Sequence, residues 1–131
     1  MCLFCKIINQ EIPAKIVSEN ESAIAFLDIK PVNPGHSLIV PKKHYSTIED
    51  ISEGELCAVI LMLKEIGEKI KDKLGYKGYN VSLNNDPVAG QEIPHLHFHL
   101  IPRTSDDGLK LWPQSEYKGS KADEILAKLT N

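Results

Sequence analysis

His95-Leu96-His97-Phe98-His99-Leu100-Ile101 sets three histidines at every second position, with apolar residues between and after them. Successive side chains of an extended strand point to opposite faces, so this spacing predicts a strand, placed at about 95–102. His95, His97 and His99 then share one face, while Leu96, Phe98 and Leu100 turn to an apolar core. A helix would set successive histidines about 200° apart and scatter the apolar residues. Three of the chain's five histidines are expected to crowd a strip roughly 13 Å long. Imidazole works near neutral pH as a nucleophile, a proton carrier or a metal ligand. The strip is expected to be a site.

The chain before the strip reads as a strand at about 79–83 and then Asn84-Asn85-Asp86-Pro87-Val88-Ala89-Gly90-Gln91-Glu92, rich in turn formers. Gly90 would let backbone N–H groups approach an anion closely; an ordinary hairpin connection is the alternative. Further upstream, a short helix from Phe4 to about Asn9 is followed by strand-like segments near 15–18, 23–29 and 37–40, with a Pro/Gly turn at 31–35. Ser52-Glu53-Gly54-Glu55 is a capping-box pattern that opens one long helix. Leu56, Val59, Ile60, Leu63, Ile66, Ile70 and Leu74 recur at helical spacing, Cys57 is expected to be buried on that helix, and Gly75 stops it. After Leu109-Lys110-Leu111-Trp112-Pro113 comes a short amphipathic helix at about 122–129. The pattern is antiparallel α+β.

At 131 residues the chain is expected to be one domain, 1–131. A hydrophobic share of 42% and a charged share of 25% are those of an ordinary globular protein. The net charge of −3 gives no electrostatic reason to expect nucleic acid as a partner. No apolar run approaches the ~20 residues that span a bilayer, and no secretory leader is visible. Three cysteines argue against a disulfide framework and for a reducing compartment, so a cytoplasmic location is expected. Cys2-Leu3-Phe4-Cys5 is half of a tetrahedral zinc pattern, with free thiols or redox chemistry as the other readings.

His95 to Ile101, with Pro102-Arg103 after it, resembles the signature of the histidine-triad (HIT) superfamily. Phe26-Leu27-Asp28-Ile29-Lys30-Pro31, Pro34-Gly35-His36-Ser37-Leu38-Ile39-Val40-Pro41-Lys42-Lys43-His44, Phe4-Cys5-Lys6-Ile7-Ile8 and Glu11-Ile12-Pro13-Ala14-Lys15 are similar to its Hint-like branch. The resemblance runs from about residue 2 to about 113. It implies an α+β HIT-like antiparallel sheet of about five strands, one long helix and short terminal helices. It also implies a hydrolase or transferase releasing a nucleoside monophosphate, AMP above all, from phosphoramidate-type conjugates.

In that family pattern His97 is the nucleophile and forms a nucleotidyl-histidine, with its other ring nitrogen donating to a carbonyl. His99 stabilises phosphate charge or the leaving atom, and His36 supports the array from behind. Phe4, Ile7, Phe26 and Ile29 would form a purine slot and Asp28 would hold the ribose hydroxyls. Asn84, Gly90 and Gln91 would contact phosphate or leaving group. No metal is required for the chemical step, but structural Zn2+ held by Cys2, Cys5, His44 and His95 is expected. The resemblance further implies a homodimer in which segment 104–131, with Trp112, contributes to the dimer and the active site; core filling is the plainer reading of Trp112. Glu92 stands where many Hint-like phosphoramidases carry serine, which opens the question of leaving group. A dinucleoside polyphosphate hydrolase, a metal-dependent hydrolase and a non-catalytic purine-nucleotide-binding protein are the rival readings.

Overall fold

A computed structural model describes residues 1–131. Helix α1 (Leu3–Ile8) leads into β1 (Ile16–Glu19), β2 (Ala23–Leu27) and β3 (Ser37–Pro41). The long helix α2 (Glu53–Leu74) is followed by β4 (Gly78–Leu83), a single 3-10 turn at Pro87–Ala89, β5 (Phe98–Arg103) and α3 (Lys121–Thr130). The five strands form one antiparallel sheet in the order β1-β2-β3-β5-β4. That is the α+β fold expected from the residues.

Alternation sorts each strand between two apolar clusters. Ala23 and Ala25 of β2, Ile39 of β3, and Phe98 and Leu100 of β5 face α2, where Val59, Met62, Leu63, Ile66 and Ile70 cover them. Ile24, Phe26, Leu38 and Val40 occupy the opposite face and pack against Phe4 and Ile7 of α1. Burying each of these larger side chains contributes about 1.5–3 kcal/mol before chain entropy is set against it. The small Ala23 and Ala25 let α2 lie close to the sheet, and Gly67 lets it approach Tyr79, whose ring fills the space a Cβ would need.

The helix boundaries follow their caps. The Ser52 hydroxyl accepts the Glu55 N–H, and Gly75 ends α2 in the left-handed region at φ 77°. The capping box is half formed, because the Glu55 carboxylate accepts from the Tyr45 hydroxyl instead of returning to the Ser52 backbone. Cys57 is exposed, not buried, and so are Ile60 and Leu74. Their helical spacing placed them in the core stripe, but β2, β3 and β5 cover only the arc centred on Val59, Ile66 and Ile70.

The largest departure lies in the deciding stretch itself. Strand pairing of β5 with β3 begins at Phe98 opposite Ile39, so His95, Leu96 and His97 lie before the ladder. Pro41 ends β3, and its carbonyl accepts a hydrogen bond from the His95 ring rather than from a strand N–H. The Leu96 N–H goes to the Tyr45 carbonyl. The backbone stays extended enough that Leu96 still faces α2 while His95 and His97 point the other way. No helix is long and apolar enough to cross a membrane.

Candidate active site

A cleft of about 360 Å³ opens on the sheet face away from α2. Phe4 and Ile7 of α1, Ile12, Pro13 and Ala14 beyond it, and Phe26 with Leu38 make its apolar wall. Asp28, Asn84, Gly90, Glu92, His97 and His99 supply its polar groups. The Phe4 ring meets Phe26 edge-on with centroids 5.5 Å apart, and His97 likewise at 4.9 Å. These contacts tie the apolar wall to the histidine.

Hydrogen bonds fix the tautomer of each histidine in turn. His97 Nδ1 lies 2.7 Å from the His95 carbonyl, which can only accept, so Nδ1 carries the proton. The lone pair of neutral His97 is therefore on Nε2, the nitrogen left to the cleft. The Val32 N–H donates to His36 Nδ1 at 3.0 Å, which puts the His36 proton on Nε2. That proton is donated to His99 Nδ1 at 2.9 Å, and His99 in turn keeps its own proton on Nε2. The result is a bare lone pair on His97 beside an N–H donor on His99, with ring centroids 5.0 Å apart. Such a pair can attack an electrophile and donate to the charge that develops on it.

Burial sets the charge of this array. It lowers the pKa of His36 below the ordinary histidine value, opposed only by the nearby Asp28 carboxylate. His99 is pushed down to about 4, by burial first and then by the neighbouring His97 and His36. Asp28 accepts the Lys30 N–H at 2.9 Å with one oxygen and stands 3.6 Å from His36 Nε2 with the other. Asp28, His36 and His99 are close enough to share an ion. The 2.9 Å separation of the two facing nitrogens is equally that of a shared proton.

Cys2, Cys5, His44 and His95 converge beside the cleft, with all four ligand atoms within 4.8 Å of one another. Each cysteine sulfur lies 3.3–3.6 Å from the Nδ1 atoms of His44 and His95. A tetrahedral zinc ion with ordinary Zn–S and Zn–N bonds holds sulfur and nitrogen about 3.5 Å apart, so the donor set fits zinc. His95 Nε2–H donates to the Pro41 carbonyl at 2.8 Å, which presents Nδ1 to the metal in the required tautomer. His95 thus faces two ways: its ring belongs to this cluster and its carbonyl fixes His97.

The residues singled out in the sequence divide as follows. Phe4, Ile7, Phe26, Asp28, Asn84, Gly90, His97 and His99 all line the cleft, and His36 lies behind His99. Ile29 also borders it but is 89% exposed, a rim contact rather than part of a closed slot. Gln91 does not line the cleft. Its amide donates to the Ser46 and Ile93 carbonyls, and its oxygen accepts the Asp86 N–H, which staples the 84–92 loop down. Trp112 is 84% exposed and fills no core. It sits with Val32, Val81, Ile101, Leu109 and Leu111 in an open apolar recess beside the edge strand β4.

Ile93, which no motif marked, and Leu38, Ile12 and Ala14, marked only as parts of motifs, also belong to the cleft. The signal for Leu38 was present: it lies two residues after His36, on the same face, and pairs with His99. Arg103 was singled out only as part of a motif. It grips Asp107 with two nitrogens at 2.7 and 3.0 Å, and Asp107 also accepts the Thr104 and Leu109 N–H groups. This clasp folds the chain back at the start of the C-terminal segment.

Residues 9–106 match the HIT domain family, and the chain belongs to it. It is 51% identical over 129 residues to a HIT-like protein of Methanocaldococcus jannaschii, covering 98% of each chain. It is 40% identical over 134 residues to adenosine 5'-monophosphoramidase HNT1 of Saccharomyces cerevisiae, covering 98% of this chain and 82% of that one. With adenylylsulfatase HINT3 of Arabidopsis thaliana it shares 39% identity over 130 residues, 99% of this chain and 66% of that one. Among solved structures it is similar to a HIT family protein of Bacillus subtilis, with TM-score 0.90, 33% identity, and coverage of 98% of this chain and 94% of that one. A zinc-bound histidine triad family protein of Mycobacterium smegmatis aligns with TM-score 0.79, 28% identity and the same coverages of 98% and 94%.

Proposed function

We propose that this chain is a nucleotide hydrolase that releases AMP from phosphoramidate-type conjugates through a nucleotidyl-His97 intermediate. The observation that carries the reading is the 2.7 Å bond from His97 Nδ1 to the His95 carbonyl, which leaves Nε2 bare on the cleft. The phosphoramidase and adenylylsulfatase names of relatives about 40% identical support the same class of reaction.

In the first step the His97 Nε2 lone pair attacks phosphorus and the bond from phosphorus to the leaving nitrogen breaks. That nitrogen departs as the amine with a proton taken from solvent, which the attacking water of the second step gives back. The imidazole becomes cationic as it is nucleotidylated, and the His95 carbonyl on Nδ1–H stabilises that charge. His99 Nε2–H donates to a non-bridging phosphate oxygen or the leaving atom, ready-made and at no reorganisation cost. Water then attacks the same phosphorus, the P–Nε2 bond breaks, and AMP and neutral His97 are restored. The base lies against Phe4, Ile7 and Phe26 with Ile29 at the rim, Asp28 takes the ribose diol, and Asn84 and Gly90 approach phosphate. Gln91 acts through the loop it staples.

Zinc, when bound by Cys2, Cys5, His44 and His95, serves as a structural clamp with no part in the chemical step. It secures α1, which carries Phe4 and Ile7, and the His95 backbone that sets the His97 tautomer. The apolar recess around Trp112 and the open edge of β4 support a homodimer to which segment 104–131 contributes, on a single HIT domain spanning 1–131. Three unpaired cysteines fit a cytoplasmic location. The test is AMP release from an adenosine phosphoramidate by the native protein and by His97→Ala, with folding checked by circular dichroism. Release by the native chain alone is expected; equal release by both would overturn the nucleophile assignment.

A further inference from the structure

Charge in the cleft is one-sided. Asp28 and Glu92 both line it, and no lysine or arginine does. Glu92 is exposed, and its carboxylate enters none of the chain's ion pairs. Its neighbour Gln91 is committed to Ser46, Ile93 and Asp86, so the loop is held in place while Glu92 is left for a ligand. Burial keeps His99 neutral at pH 7, so the array brings no compensating positive charge.

With the nucleoside against the apolar wall and the α-phosphate at His97 and His99, one polar wall remains, made of Asn84, Gly90 and Glu92. It borders whatever departs from phosphorus. A polyphosphate leaving group would carry further negative charge to a wall that offers a carboxylate and no cation. An amine that bears a second, non-reacting ammonium would find its complement there. We infer that Glu92 is a specificity residue selecting cationic leaving groups, so that the favoured conjugates are phosphoramidates of diamines or basic amino acids and dinucleoside polyphosphates are discriminated against. The inference rests on the cleft being the nucleotide site. Glu92 acts on the distant ammonium and not on the P–N bond, which breaks as described above.

Three adenosine phosphoramidates of equal chain length test it, with an alkylamine, a diaminoalkane attached through one nitrogen, and an ω-amino acid as leaving groups. An exposed charge pair worth about 0.2–1 kcal/mol shifts kcat/KM roughly 1.4- to fivefold, so in the native protein the diamine conjugate should exceed the alkylamine by that factor and the amino acid should fall below it. Within Glu92→Gln the three values should converge, and within Glu92→Lys their order should reverse, whatever either change does to the common rate. Added salt should narrow the native spread. The same order in all three proteins would overturn the inference. Should no protein turn over any conjugate, the hydrolase reading fails, and the Kd values of the same compounds by calorimetry decide the role of Glu92. An affinity order that collapses in Glu92→Gln supports it, and one that persists overturns it.

Discussion

Replacing His36 with phenylalanine would keep the volume behind His99 and delete the relay that sets its tautomer. In the native chain the Val32 N–H donates to His36 Nδ1 at 3.0 Å, and His36 Nε2–H donates to His99 Nδ1 at 2.9 Å. The second bond holds the His99 proton on the cleft side. One such bond is worth about 0.5–1.5 kcal/mol, or roughly a two- to twelvefold bias between tautomers. His36→Phe should therefore lower kcat by about that factor. KM should change little, because His36 does not line the cleft.

The titration of His99 should move as well. His36 is one of the groups that hold the His99 pKa down at about 4, so without it that titration should shift upward, toward the ordinary histidine value of 6.5. Folding is linked to the same titration with a definite sign. Both His36 and His99 have folded pKa values below the unfolded one, so between pH 6.5 and about 4 the unfolded chain binds more protons. Native stability should fall as pH drops through that window, and less steeply in the variant. Steady-state rates from pH 4 to 8, with nitrogen-15 NMR of the His99 ring, provide the assay. An unchanged kcat and an unmoved His99 titration, with the His99 tautomer intact, would refute the relay.

Metal removal should act first on stability. Zinc at about a hundredfold excess over its Kd adds about 2.7 kcal/mol, which for a chain of this length raises Tm by roughly 10 °C. Stripped protein should show that rise on adding zinc while Cys5→Ala should not, read by thermal melts; equal Tm in both conditions would contradict the site. Gly67→Ala should destabilise despite a helix-propensity gain of about 1 kcal/mol, because its Cβ would overlap the Tyr79 ring and overpacking costs about 1–3 kcal/mol. Denaturant titration should recover much of that loss when Tyr79→Ala is added, and a purely additive double variant would argue against the contact.

How much of this was legible in the sequence varied with the range of the interaction. Period-2 alternation at His95–Leu100 correctly separated the histidines from the core, since facing survives wherever the backbone stays extended. It could not show that pairing starts at Phe98, which depends on where Pro41 ends a strand distant in sequence. Helical spacing found α2, yet Ile60 and Leu74 turned outward because the width of the covering sheet is a tertiary fact. The Cys2–Cys5 pair was local; its closure by His44 and His95 came from resemblance, and the structure brings all four together. The hold of Gln91 on its loop was hidden because its three partners lie in Ser46, Asp86 and Ile93, two of them visible only once the loop is folded. No pattern disclosed the Val32–His36–His99 relay, since a backbone N–H is chemically silent in a sequence.

The central claim is that His97 Nε2 becomes bonded to phosphorus. Acid-labile adducts call for a direct reading: native protein mixed with an adenosine phosphoramidate, quenched within a turnover under alkaline denaturing conditions, and examined by intact and peptide mass spectrometry. The account predicts an added AMP mass confined to the peptide bearing His97 and absent from His97→Ala. Rapid AMP release with no adduct in the native protein, or an adduct on another residue, would contradict it.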